Sequence, residues 1–196
     1  MTDRPILFSA PMVRSILEGR KVQTRRALKA QPLDVLPMKG DKAGVEWVGH
    51  MQNDPPGGIV FRCKFGKPGD RLWVRETWGR DNQDGTISYR ADIGSGGDAD
   101  DFERNRFEGA PNYRWRPSIH MPRAASRILL EVVSVRVERL QKISRGDAMA
   151  EGCPFPNMAQ GDDPRQWYAQ LWEQIYGVGS WAANPWVWVI DFRRVA

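Results

Sequence analysis

The run from Ser126 to Leu140 constrains this chain more than any other stretch. It is extended in character throughout, yet its apolar alternation changes phase. Ile128, Leu130 and Val132 fall on one face of a strand, and Val133, Val135 and Val137 fall on the other. A bulge or sharp coil near Val132 reconciles the two halves, because one extra residue returns the apolar positions to a common side and bends the strand. Such a strand suits a sheet that curls around a small barrel. The last run, Pro185 to Arg193, sets Trp186, Trp188, Ile190 and Phe192 against Val187, Val189 and Asp191. Both parities are largely apolar, so burial over much of its length is expected.

Shorter signals fill in the rest. Pro5 to Phe8 reads as a short buried strand. Gly58 to Lys64 and Arg71 to Trp78 read as strands on either side of the turn Gly66-Lys67-Pro68-Gly69-Asp70. Alternation places Leu72, Val74 and Glu76 on one inner face. Ile87 to Ala91 follows an Asp84-Gly85 turn. Residues 31–57, punctuated by prolines and glycines, read as loop apart from a short strand at Val45 to Val48. Asp92 to Asn112 reads as a surface loop. One helix begins with Ser9 as cap and Pro11 in its first turn, carries Val13, Ile16 and Leu17 on one face, and stops at Gly19. A second runs from a Ser144 to Asp147 cap to Glu151, with Gly152 beyond. A third opens at Asp163-Pro164 and presents Tyr168, Leu171, Trp172, Ile175 and Tyr176 as an apolar stripe closed by Gly177.

Composition narrows the class of protein without naming it. A chain of 196 residues is expected to form one domain with a substantial core. Its 29 Lys and Arg against 24 Asp and Glu give a net charge of +5, a balance that fits a nucleotide or nucleic-acid partner and equally an ordinary soluble protein, so charge alone decides little. Cys63 and Cys153 make no CxxC, and with His50 and His120 they are too few for a zinc site. No apolar run approaches a membrane span of roughly 20 residues, and no signal core opens the chain, so a cytoplasmic protein without membrane contact is expected. No phosphate loop, dinucleotide fingerprint or HExxH occurs, and neither a metal nor an organic cofactor is implied.

Chemistry concentrates in Glu18-Gly19-Arg20-Lys21-Val22-Gln23-Thr24-Arg25-Arg26. Lys21 and Thr24 lie on the exit from the first helix. Residues three apart in a regular strand point to opposite faces, whereas in a turn they can meet. The same cations also suit a helix C-terminus, where the dipole favours them. Glu151 breaks that rule, since a carboxylate in the last turn of its helix meets the negative end of the dipole. A nearby cation would repair the placement, and Lys21 is a candidate.

Three stretches in order then resemble the ASCH family of PUA-like small barrels. Ile16 to Arg26 resembles the family's motif of small residue, Lys, x, x, Thr, x, Arg. Lys67 to Val74 resembles its Gly-Asp turn and following strand, and Ile143 to Gly152 with Pro185 to Arg193 its closing helix and last strand. The resemblance implies an α+β fold, a small curved mostly antiparallel β-barrel flanked by about three helices. Residues 1–196 form a single domain, with insertions at about 31–57 and 80–113 like those of phage and prophage members. Compact members include amidohydrolases that deacylate N4-acetylcytidine with a lysine, a threonine and a glutamate. By motif these fall on Lys21, Thr24 and Glu151.

Two chemistries follow. In the first, Thr24 attacks the acyl carbonyl, Lys21 takes its proton and Glu151 holds the lysine; a water held by Thr24 and Glu151, with Lys21 stabilising the oxyanion, is equally writable. The partner is then a nucleoside-sized ligand, bound with help from Arg25, Arg26, Glu76, Trp78, His120 and Arg123 in a cleft between the first and closing helices. The alternative is an RNA-binding module or ribonuclease without amidase activity, whose partner is single-stranded RNA. Arg25, Arg26, Arg75, Arg114, Arg116, Arg123 and Arg127 would then track phosphates, while Trp78, Trp115 and His120 stack bases.

Overall fold

The computed structural model describes residues 2–39, 44–52, 57–80, 85–92, 115–154 and 163–195. Among them run ten strands and three α-helices. The strands are β1 (Asp3–Leu7), β2 (Gln23–Ala27), β3 (Asp34–Pro37), β4 (Glu46–His50), β5 (Ile59–Arg62), β6 (Arg71–Arg75), β7 (Trp78–Arg80), β8 (Ile87–Tyr89), β9 (Leu129–Arg139) and β10 (Trp186–Arg194). The helices are α1 (Ala10–Leu17), α2 (Arg145–Ala150) and α3 (Pro164–Tyr176). This is a mixed α+β protein. Its main sheet has the order β1-β6-β9-β10-β2; β1 and β6 are parallel and every other pair is antiparallel. A second sheet, β3-β4-β5, and the pair β7-β8 stand beside it.

The phase change in β9 is a bulge. Asp191 of β10 faces Ser134 and Phe192 faces Val132, so Val133 is passed over. It is left 53% exposed, while Leu130, Val132 and Val135 pack in the same core cluster. β10 is buried on both faces. Trp188, Ile190 and Phe192 join that main core, and Val187 and Val189 join a second one with Leu140 and Ile143, which precede α2, and with Tyr168 and Trp172 of α3. From Trp186 to Ile190 both parities are therefore apolar, as a strand covered on both sides requires.

Local signals shaped the helix ends as read, with one exception. Ser144 and Asp147 form a reciprocal capping box on α2, and Asp163 caps α3 ahead of Pro164. Ser9 sits at the cap position of α1 without a side-chain bond, so Pro11 and the buried face of Val13 and Ile16 set that helix. Residues 31–57 hold more order than a loop. β4 pairs with β3 on one side and β5 on the other, and Trp47 meets Trp188 edge-on at 4.9 Å, which fastens this small sheet to the main one. The expected strand from Arg71 to Trp78 is broken at Glu76 and Thr77, after which β7 pairs with β8. Asp84, Arg114 and positions 93–112 of the expected surface loop lie outside the described residues. Among the described residues, no helix is long and apolar enough to cross a membrane.

The bulge separates two neighbouring valines. Val133→Asp should change unfolding free energy by no more than about 0.5 kcal/mol, as for an ordinary surface change. Val135→Asp should cost roughly 3 kcal/mol or more, because a carboxylate enters the core. Urea unfolding of the two variants measures both, and equal losses would mean that the strand runs without the bulge.

Candidate functional site

Lys21 leaves α1 just beyond Glu18 and Gly19, which has a left-handed backbone with φ +76°. It stands immediately before β2 and forms an isolated antiparallel bridge with Glu151 at the end of α2. Backbone bonds hold both partners. The Lys21 N–H donates to Ser15 O at 3.0 Å, and the N–H groups of Val22 and Phe192 donate to Ala150 O and Val22 O at 2.8 Å each. The Lys21 ammonium is 1% exposed as a residue, and Glu151 is 4% exposed. Nζ donates to Gln23 O at 2.9 Å, to Glu151 O at 2.9 Å and to Glu151 Oε2 at 2.6 Å. The lysine therefore neutralises the carboxylate and also caps the helix carbonyl that the dipole makes negative. Burial lowers the Lys21 pKa; Glu151 pulls it back upward, and Arg26 and Arg25 add to the lowering.

Behind this pair lies a polar network that sequence reading missed. Arg25, its side chain fully buried, places Nη1 3.7 Å from Glu151 Oε1 and Nη2 3.3 Å from Asp147 Oδ2 and 3.6 Å from Glu138. It also donates to the Gln23 side chain, which in turn donates to Asp147 at 2.9 Å and Asp191 at 2.7 Å. Arg136 closes the circuit on Asp147 at 2.8 Å and Asp191 at 2.7 Å. A faint signal existed: Asp191 breaks the apolar run of β10. Burial alone would raise the Asp147 pKa, but bonds from Ser144 and Gln23 and the charge of Arg25 hold it well below the usual carboxylate range.

Thr24 and Arg26 occupy β2 opposite Ile190 and Trp188. Thr24, Arg25, Arg26 and Glu151 line one hollow with Met12 of α1 and with Tyr168, Trp172, Ile175 and Tyr176 of α3. Its volume is about 10 Å³, room for about one water. The expected nucleoside-sized cleft between the first and closing helices is thus nearly filled, by the aromatic stripe of α3. Burial pushes the Tyr168 phenol well above its usual range, and the Glu151 carboxylate adds to the rise. Arg26 reaches Leu7 O at 2.6 Å and lies 5.2 Å from the centre of the Phe8 ring, which Lys21 Nζ approaches at 5.7 Å.

The other residues proposed for binding do not line this hollow. Glu76 is 1% exposed and is held by Arg127 at 3.0 and 3.2 Å. Burial raises its pKa against that pairing. Trp78 is buried with Met121 and Ala125 and bridges the backbone of Arg116. His120 is exposed on a short 3-10 turn, and Arg123 is half-exposed, 3.6 Å from Asp3. Among the described residues, no group of three or more His, Cys, Asp or Glu is placed to hold a metal ion. Comparison of the chain with protein-family models, with curated proteins and with solved structures returned no match.

Gly152 follows Glu151 with φ +98°, and a Cβ there would lie 3.0 Å from Ser15 Cβ and 3.1 Å from Lys21 Cβ. Gly152→Ala should therefore cost about 1–3 kcal/mol in urea unfolding, from left-handed strain and this contact together. A second expectation concerns acid. A carboxyl with a folded pKa below its unfolded value of about 4 binds fewer protons folded than unfolded, so it stabilises above that value. The contribution of Asp147 is lost as pH falls below about 4, toward its depressed folded pKa. Stability measured against pH should fall less steeply there in Asp147→Asn than in the wild type.

Proposed function

We propose that the chain is an ASCH-type amidohydrolase that removes an acyl group from the exocyclic nitrogen of a pyrimidine nucleoside such as N4-acetylcytidine. The observation that carries the reading is the buried Lys21–Glu151 contact at 2.6 Å beside a hollow that Thr24 also lines. An ammonium lowered in pKa by burial is the form of lysine that general-base chemistry needs, and a threonine hydroxyl needs such a base to become a nucleophile.

All three N–H groups of the Lys21 ammonium are occupied, so it first hands a proton to Glu151 Oε2. Arg25 faces the other carboxylate oxygen. Neutral Nζ then accepts the Thr24 proton as Oγ1 bonds to the acyl carbon. Collapse of the tetrahedral adduct breaks the C–N bond, and the leaving amine takes a proton back from Lys21. Water then hydrolyses the threonyl ester: its hydroxyl goes to the acyl carbon, its proton restores the Thr24 hydroxyl, and as the acid leaves Glu151 Oε2 returns its proton to Lys21. The closed hollow admits the acyl group when Ile175 and Tyr176, 48% and 41% exposed, turn outward from its rim. The finer fold proposed with this function is a PUA-like barrel. In its support, the side chain of Arg26 in edge strand β2 bonds to Leu7 O in β1, the opposite edge strand of the sheet.

Acetate release from N4-acetylcytidine tests the proposal. Wild type should turn over, and Thr24→Val, close in shape, should lose roughly 10²-fold or more in kcat while unfolding at an unchanged urea midpoint. Absence of turnover on any N4-acylated pyrimidine nucleoside, or full activity in Thr24→Val, would overturn it.

A further inference from the structure

A far roomier hollow than the one beside the Lys21–Glu151 pair lies elsewhere. It is a cavity of about 370 Å³ where the end of β2 meets the small β3-β4-β5 sheet. That volume lies within the roughly 300–1,000 Å³ of small-molecule sites. Leu28, Met51, Phe61 and Trp188 give it an apolar and aromatic lining. Trp188 is fixed by edge contacts with Trp47 at 4.9 Å and Phe61 at 5.7 Å, so part of the lining is a rigid aromatic surface. The cavity also has a built wall. A Cβ on Gly49 would fall 2.8 Å from Phe61 and 2.9 Å from Pro32, so glycine at this position is what lets those two rings close in.

The charged residues of the lining are all basic. Lys29, Arg62 and Lys64 belong to it, and no acidic residue is among the described residues that do. Arg62 is paired with buried Glu46, which leaves the two lysines, both exposed, to set the sign of the rim. Aromatic walls select a flat ring, and like-signed cations at the edge select a negative group attached to it.

We propose that this cavity binds a planar aromatic ring carrying an anionic group, the chemistry shared by a nucleotide and an aromatic carboxylate. The site is separate from the amidohydrolase reading and stands without it. Calorimetric titration with cytidine 5′-monophosphate, cytidine and 2-naphthoate tests it. At least one of the two anions should bind. Naphthoate alone marks an aromatic acid as the ligand, and the monophosphate marks a nucleotide. Lys29→Glu combined with Lys64→Glu should weaken that binding at least tenfold, and Ala30→Trp, which places a ring in the lining, should abolish it. No binding of either anion at millimolar concentration, cytidine binding as tightly as its monophosphate, or a charge-reversed variant that binds like wild type would each overturn the proposal.

Discussion

The structure depends on an ammonium kept away from water. Removing such an ion from solvent costs several kcal/mol even after a protein relaxes around it, so its surroundings must answer every donor. Lys21 has three, and Gln23 O, Glu151 O and Glu151 Oε2 take one each. The carboxylate that answers it would itself be misplaced at a helix end without the cation. Each charge corrects the other's error, and together they tie the first turn of the chain to a helix 130 residues later. The same contact carries a tension. Burial pushes the lysine toward neutrality while Glu151 draws it back.

The network of Arg25, Gln23, Arg136, Asp147 and Asp191 keeps that balance from being a matter of two residues. Asp147 serves twice, bonding Ser144 as the capping partner of α2 and Gln23 and Arg136 across the sheet. The helix that carries Glu151 is thereby fixed at its start by the network and at its end by Lys21. A polar cluster of this kind is high in consequence, since partly satisfied members cost more than apolar ones of the same shape. Its members come from β2, β9, β10 and α2, so it also sets the register in which those elements meet.

How far the sequence foretold this varies with the range of the interaction. The bulge at Val133 was legible because alternation is a local property, and its phase change shows in the spacing of Ile128, Leu130 and Val132 against Val133, Val135 and Val137. The caps at Ser144 and Asp163 were legible for the same reason. Strands β3 and β4 were only partly so: their edges are short and proline-broken, and what orders them is Trp47 against Trp188 across the fold. Glu151 was visible as a residue that contradicts the helix dipole, and its partner followed from the motif. Arg25 read as a surface cation or phosphate contact, yet its side chain is wholly buried. Nothing local distinguishes a guanidinium that faces water from one that faces three carboxylates contributed by distant elements. The size of the hollow was illegible altogether, since it is set by how closely the aromatic stripe of α3 settles on β2.

Backbone ties are what would let the pair serve the chemistry proposed for it. A reactive group needs its position fixed to within about half an ångström, and long side chains alone rarely give that. Here the main chain supplies it. Lys21 and Val22 are bonded to Ser15 and Ala150, Val22 in turn to Phe192, and Gly152 lets the three segments approach to contact distance. The lysine thus emerges from a rigid junction of α1, α2 and β10, with its ordering entropy met during folding rather than on ligand binding. A surface ion pair of the same two residue types would hold neither its geometry nor its depressed lysine pKa, because water would screen the charges and solvate the ammonium. Burial at a backbone junction makes the contact specific, and it also confines the space beside it to about one water.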